Sequence, residues 1–124
     1  MSRRARSSTS LAASVMIVIG AVSAAFAHAH LVASSPAAES SGSPPTEISL
    51  RFSEKLEGAF NAIVVRNAAG EQVDKRNVQL DKTDRMTLRV SLPALQAGIY
   101  TVEWHAVSTD SHRVQGSFSF RVKE

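Results

Sequence analysis

Apolar and polar residues alternate with a period of two through most of the chain after residue 27. The alternation is strict in Ile48-Ser-Leu-Arg-Phe52, in Met86-Thr-Leu-Arg-Val90 and in Phe118-Ser-Phe-Arg-Val122. Successive side chains of a strand point to opposite faces, so each run predicts a strand with one buried and one wet face. Val102-Glu-Trp-His-Ala106 repeats the pattern, with Val102, Trp104 and Ala106 on one face and Glu103 and His105 on the other. Asn61-Ala-Ile-Val-Val65 is more continuously apolar, as a central strand would be. Residues 31–34 and a stretch around 72–80 carry weaker strand patterns. Turn chemistry falls between these runs. Ser40-Ser-Gly-Ser-Pro-Pro45 reads as a loop, because Pro44 and Pro45 cannot continue a ladder. Asn67-Ala-Ala-Gly70 and Asp81-Lys-Thr-Asp84 each connect two strands, and Leu92-Pro-Ala-Leu-Gln-Ala-Gly98 leads into Tyr100. No internal repeat and no convincing helical pattern is present. About seven short strands at regular spacing predict an all-β, antiparallel sandwich or small barrel. Leu95-x-x-Gly98-x-Tyr100 resembles the tyrosine corner of immunoglobulin-like sandwiches, in which the hydroxyl bonds to backbone across the corner.

The first 27 residues break the alternation. Arg3, Arg4 and Arg6 precede an apolar stretch, Leu11-Ala-Ala-Ser-Val-Met-Ile-Val-Ile-Gly-Ala-Val22, and the small residues Ser23-Ala-Ala-Phe-Ala27 follow. A basic start, a short apolar core and an A-x-A site predict a secretory signal peptide cleaved after Ala27. The apolar core is about 12 residues, too short for a membrane span of about 20. The division predicted is a leader at 1–27 and one domain at 28–124.

Cleavage changes the charge. Of 14 Lys and Arg, three precede residue 28, whereas all 11 Asp and Glu follow it, so the +3 of the whole chain falls to 11 against 11, or zero. A neutral domain offers no basic surface for nucleic acid. The absence of cysteine excludes a disulfide framework, a cysteine nucleophile and the thiolate ligand of a blue-copper centre. No G-x-S-x-G elbow, glycine-rich phosphate loop or H-E-x-x-H helix is present.

The remaining candidate chemistry lies in four histidines, His28, His30, His105 and His112, and in Asp110. Cleavage would make His28 the first residue, and its amine and Nδ1 could close a six-membered chelate on a metal. The reference pKa of such an amine, about 7.7–8.0, is low enough for a metal to displace its proton near neutral pH. If residues 110–112 run extended, Asp110 and His112 share a side, about 7 Å apart. His112 would add a third nitrogen. Asp110 would supply an oxygen or orient the site from behind a ligand. Nitrogen and oxygen donors in a tetragonal set favour Cu(II), with tetrahedral zinc as the competitor. His30 shares the side of His28 and has three readings: an auxiliary ligand, a donor to a ligand, or an exposed side chain. His105 falls on the wet face of its strand.

Four segments, His28-Ala-His-Leu-Val-Ala-Ser-Ser-Pro-Ala37, Leu50-Arg-Phe-Ser-Glu54, Gly98-Ile-Tyr-Thr-Val-Glu-Trp-His-Ala-Val-Ser-Thr-Asp-Ser-His112 and Gly116-Ser-Phe-Ser-Phe120, resemble the CopC family of periplasmic copper-binding, copper-resistance proteins. The likeness runs in order through residues 28–124. It implies an immunoglobulin-like, or cupredoxin-like, sandwich that binds one Cu(II) in the periplasm and acts as a carrier in copper homeostasis, not as an enzyme. It places the Cu(II) ligands on His28, Asp110 and His112. The family motif often reads D-G-H, and Ser111 takes the middle place here. Some members add a Cu(I) site in a methionine-rich loop. After residue 27 this chain has a single methionine, Met86, on the apolar face of an expected strand, so the expectation is Cu(II) alone. The resemblance also implies a CopD-like inner-membrane copper transporter as partner. The chain shows no membrane segment before its end at Glu124, so that partner is expected to be separate and the carrier monomeric. The rival readings are a histidine-brace copper oxidase or monooxygenase, and a metal-free immunoglobulin-like interaction module.

Overall fold

The computed structural model describes residues 29–124. The strict alternation at 48–52 becomes a strand, β3 (Glu47–Phe52), preceded by β1 (Leu31–Ser35) and the two-residue β2 (Ser41–Gly42). The order continues with β4 (Ala62–Arg66), β5 (Gln79–Leu80), β6 (Thr87–Ser91), β7 (Gly98–Val107) and β8 (Arg113–Val122). Two four-stranded sheets form, in the orders β1-β3-β6-β5 and β2-β8-β7-β4. They remain separate, so the fold is a sandwich and not a closed barrel, with no helix among the described residues. Neighbouring strands pair antiparallel, except that β2 runs parallel to β8.

The inward residues are those the alternation marks. Ile48, Leu50 and Phe52 of one sheet face Val102, Trp104, Phe120 and Val122 of the other, all within the buried core. Full burial of such side chains stabilises by about 1.5–3 kcal/mol each, which makes this seam the main favourable contribution to folding. Phe52 meets Trp104 edge-on, with ring centroids 5.0 Å apart, and Tyr100 stacks on Phe120 at 5.5 Å. The tyrosine corner is present: the Tyr100 hydroxyl donates to the Gln96 carbonyl at 2.7 Å.

Five expectations are corrected. Residues 61–65 do not form a central strand, because β4 is the edge of its sheet, with its ladder to β7 and one isolated bridge from Arg66 to Gln72. Its free edge is covered instead by the chain that returns through residues 72–74. There Val73 N donates to Val65 O at 2.8 Å, and Val65 N donates to the buried Asp74 carboxylate at 2.9 Å. These bonds close the edge at Val65, where an unpaired edge would otherwise begin. Within 72–80 only Gln79 and Leu80 form a strand. The loop at 40–45 contains β2, held where Arg121 N donates to Ser40 O and Lys123 N to Gly42 O. Met86 lies just ahead of β6 and is half-buried, outside the core. Its neighbour Thr87 is buried on the side predicted to be wet, because its hydroxyl donates to Asp84 at 2.8 Å.

Candidate metal centre

The β7–β8 hairpin ends at the pair Val107 and Arg113, and the D-x-H residues form its tip. Ser108 N donates to His112 O at 3.0 Å, and Ser111 N donates to Ser108 O at 2.9 Å. Three residues, Thr109, Asp110 and Ser111, therefore make the loop, and Ser111 takes a left-handed φ of 69°. A turn followed by one left-handed residue is a standard three-residue hairpin solution, usually with glycine at that place. The segment is thus a turn and not extended, which corrects the about 7 Å separation expected along a strand. The turn brings His112 Nδ1 to 2.8 Å from Asp110 Oδ2.

The other carboxylate oxygen of Asp110 accepts from the Ser108 hydroxyl and, at 3.3 Å, from His112 N. The Ser108 bond first, then the contact with His112, holds the Asp110 pKa down to about 2. The side chains of Asp110 and His112 are 54% and 42% exposed, so a fixed negative charge and an imidazole face solvent together. Such a nitrogen and oxygen pair suits Cu(II) or Zn(II).

The chain after β3 fastens the tip to the sandwich. Thr109 N donates to Lys55 O at 3.1 Å, Leu56 bridges Ser108, and Glu57 N donates to Val107 O at 2.7 Å. The same segment holds the start of the described chain. His30 N donates to the Ser53 hydroxyl at 3.0 Å, Ser53 N returns a bond to His30 O at 2.9 Å, and His30 Nδ1 lies 3.1 Å from that hydroxyl. Ala29, just before it, is buried in the core.

Asp110 and His112 are therefore brought together, while His30 is exposed and engaged with Ser53. His105 is exposed on β7, opposite Ala62 and Gln115. His28 and the cleavage site after Ala27 lie outside the described residues. Among the described residues no group of three or more His, Asp or Glu is arranged to hold a metal ion, so a site here needs a further donor. Ser108 is not marked by the alternation or by the D-x-H spacing. The available signal was a serine two residues before an aspartate at a hairpin tip, a spacing that favours a local side-chain bond.

The CopC domain model matches residues 31–123. The chain is 38% identical over 104 residues to copper resistance protein C of Pseudomonas syringae pv. tomato, a match covering 78% of this chain and 82% of that protein. It is 36% identical over 99 residues to the copper transport protein CutJ of Bacillus subtilis (strain 168). That match covers 78% of this chain but spans only 18% of CutJ. Among solved structures, PcoC, a methionine-rich copper resistance protein from Escherichia coli, superposes with a TM-score of 0.68 at 32% identity. The superposition covers 78% of this chain and 100% of PcoC.

Proposed function

The chain belongs to the CopC family, whose members are copper-binding carriers and not enzymes, and we propose that it carries one Cu(II) ion in the periplasm. The ion is its cargo. The observation that carries this reading is the half-exposed pair of Asp110 and His112, 2.8 Å apart on a hairpin tip fastened to the sandwich. A carboxylate that stays ionised attracts the cation, and the imidazole supplies a nitrogen donor. Signal-peptide cleavage after Ala27 would free the His28 amine, which with its own imidazole completes a set of three nitrogens. What supports this reading is that one segment, residues 53–57, fastens both the start of the described chain at His30 and the hairpin tip at residues 107–109.

Nitrogen and oxygen donors favour Cu(II), whereas thioether sulfur suits Cu(I). Residues 28–124 hold one methionine, and Met86 is half-buried beside β6. The cargo is therefore Cu(II) alone; the carrier is taken as a monomer that passes it to a CopD-like membrane transporter. His30, tied to Ser53, serves as an anchor for the chain entering the site.

Cu(II) titration followed by paramagnetic resonance tests the proposal on processed protein whose intact mass begins at His28. One copper per chain with a type-2, nitrogen-rich spectrum is expected. His112→Ala, and separately one extra residue before His28, should each abolish tight binding. Undiminished binding in both would sink the proposed site.

A further inference from the structure

We infer that the Ser108 hydroxyl is a positioning group for the copper site, holding one oxygen of Asp110 so that the other stays on the His112 imidazole. This deepens the function proposed above and rests on it. Ser108 is 3% exposed, although the three residues after it are all exposed. A buried hydroxyl needs a partner, and two acceptors are in reach: Asp110 Oδ1 and, at 3.3 Å, the His112 carbonyl. The carbonyl already accepts from Ser108 N at 3.0 Å. The carboxylate is the stronger acceptor, because a bond to an ionised group is shorter and stronger than one between neutral groups.

The consequence is geometric. An exposed aspartate turns easily about its last torsion, which is broad and two-fold. Here Oδ1 is held by the Ser108 hydroxyl and by His112 N at 3.3 Å, which sets the carboxylate plane. Oδ2 is then kept 2.8 Å from His112 Nδ1, and the ring orientation follows. Ser108 can do this because it sits on the fixed side of the turn, bridged to Leu56. Its backbone closes the hairpin independently of its side chain, through Ser108 N to His112 O and Ser111 N to Ser108 O. Removing only the hydroxyl therefore leaves the turn's own bonds in place.

The test compares Ser108→Ala and Ser108→Thr with the unaltered processed protein, and repeats Ser108→Ala in an Asp110→Ala background. Partners that orient a metal ligand typically contribute 10–100-fold to affinity. Ser108→Ala should weaken Cu(II) binding about 10-fold, within that range, and alter the paramagnetic resonance of the bound ion while keeping one copper per chain. In copper-free protein it should move the His112 ring-proton resonances. Ser108→Thr keeps the hydroxyl and should restore affinity and spectrum. In the Asp110→Ala background the loss should disappear, because the hydroxyl acts through the carboxylate. An unchanged affinity and spectrum in folded Ser108→Ala overturns the inference, as does an equal loss in both backgrounds. If Ser108→Ala does not fold, folded Ser108→Thr decides: binding like the unaltered protein supports the role, and weakened binding overturns it. His112→Ala separates the two readings. Undiminished binding there removes the copper site itself, whereas lost binding there with none lost in Ser108→Ala removes only the role of Ser108.

Discussion

Ser111 adopts a φ of 69° without being glycine, a conformation in which the Cβ crowds the following carbonyl. Nothing beyond the turn requires a side chain there, since Ser111 is exposed and its bonded group is its backbone N–H. Ser111→Gly should therefore raise stability by about 0.5–1 kcal/mol, part of the strain relief being offset by a more flexible unfolded chain. Chemical denaturation checks this, with a higher midpoint, an unchanged slope and retained Cu(II) binding expected. The same residues show how far a short motif can be read. The identities of Asp110 and His112 are plain in the sequence. Their 2.8 Å contact is not, because an extended and a turned D-x-H share one spelling. Only the bonds at Ser108, which depend on where β7 ends, select the turn. His30 is a similar case: its facing is legible, but its partner Ser53 lies 23 residues away.

Trp104 and Gly116 are cross-strand partners in the β7–β8 hairpin. A Cβ on Gly116 would lie 2.5 Å from Trp104 Cζ2 and 2.8 Å from Cε2, closer than atoms tolerate. The indole cannot withdraw freely, because Phe52 stands edge-on to it at 5.0 Å. Gly116→Ala should cost about 1–3 kcal/mol, the usual range for overpacking a filled core. A lowered thermal midpoint with altered tryptophan fluorescence is expected, and an unchanged midpoint would refute the packing argument. Strands with period-two alternation were legible for this reason: one face is buried and the pattern records it. β2 and β5 were not. Each has two residues, too few for a period, and each exists only because a long strand beside it offers a ladder. β4 misled in the other direction. Its apolar run suggests two neighbouring strands, but the one strand laddered to it is β7, and Gln72, Val73 and Asp74 meet the other edge.

Across the molecule, Asp81, Asp84 and Asp110 all titrate below the ordinary carboxylate range. Asp81 is held at about 2 first by the Arg89 guanidinium, Asp84 is lowered first by the Met86 backbone N–H, and Asp110 is held at about 2 first by Ser108. In the unfolded chain such groups titrate near 3.9. The folded state thus binds these protons less readily, so their contribution to stability is present above about pH 4 and is lost as the pH falls, for Asp81 and Asp110 through about 2. Copper should leave earlier, because an amine and imidazoles must be unprotonated to bind and ordinarily gain protons between about 6.5 and 8. An acid titration followed by circular dichroism and paramagnetic resonance together should show copper released at higher pH than unfolding. Coincident transitions would refute this order. The sequence by itself determined the all-β class, the inward faces, the neutral charge of residues 28–124 and the residue types able to hold copper. These follow from local periodicity and counting, which need no knowledge of neighbours. The tertiary structure alone decided the two-sheet order, the closure of the β4 edge, the turn at Ser111 and the approach of Ser108 and Asp110 to His112. Each of those depends on hydrogen bonds whose partners are chosen by how the sheets pack, and that choice is not written in any one segment.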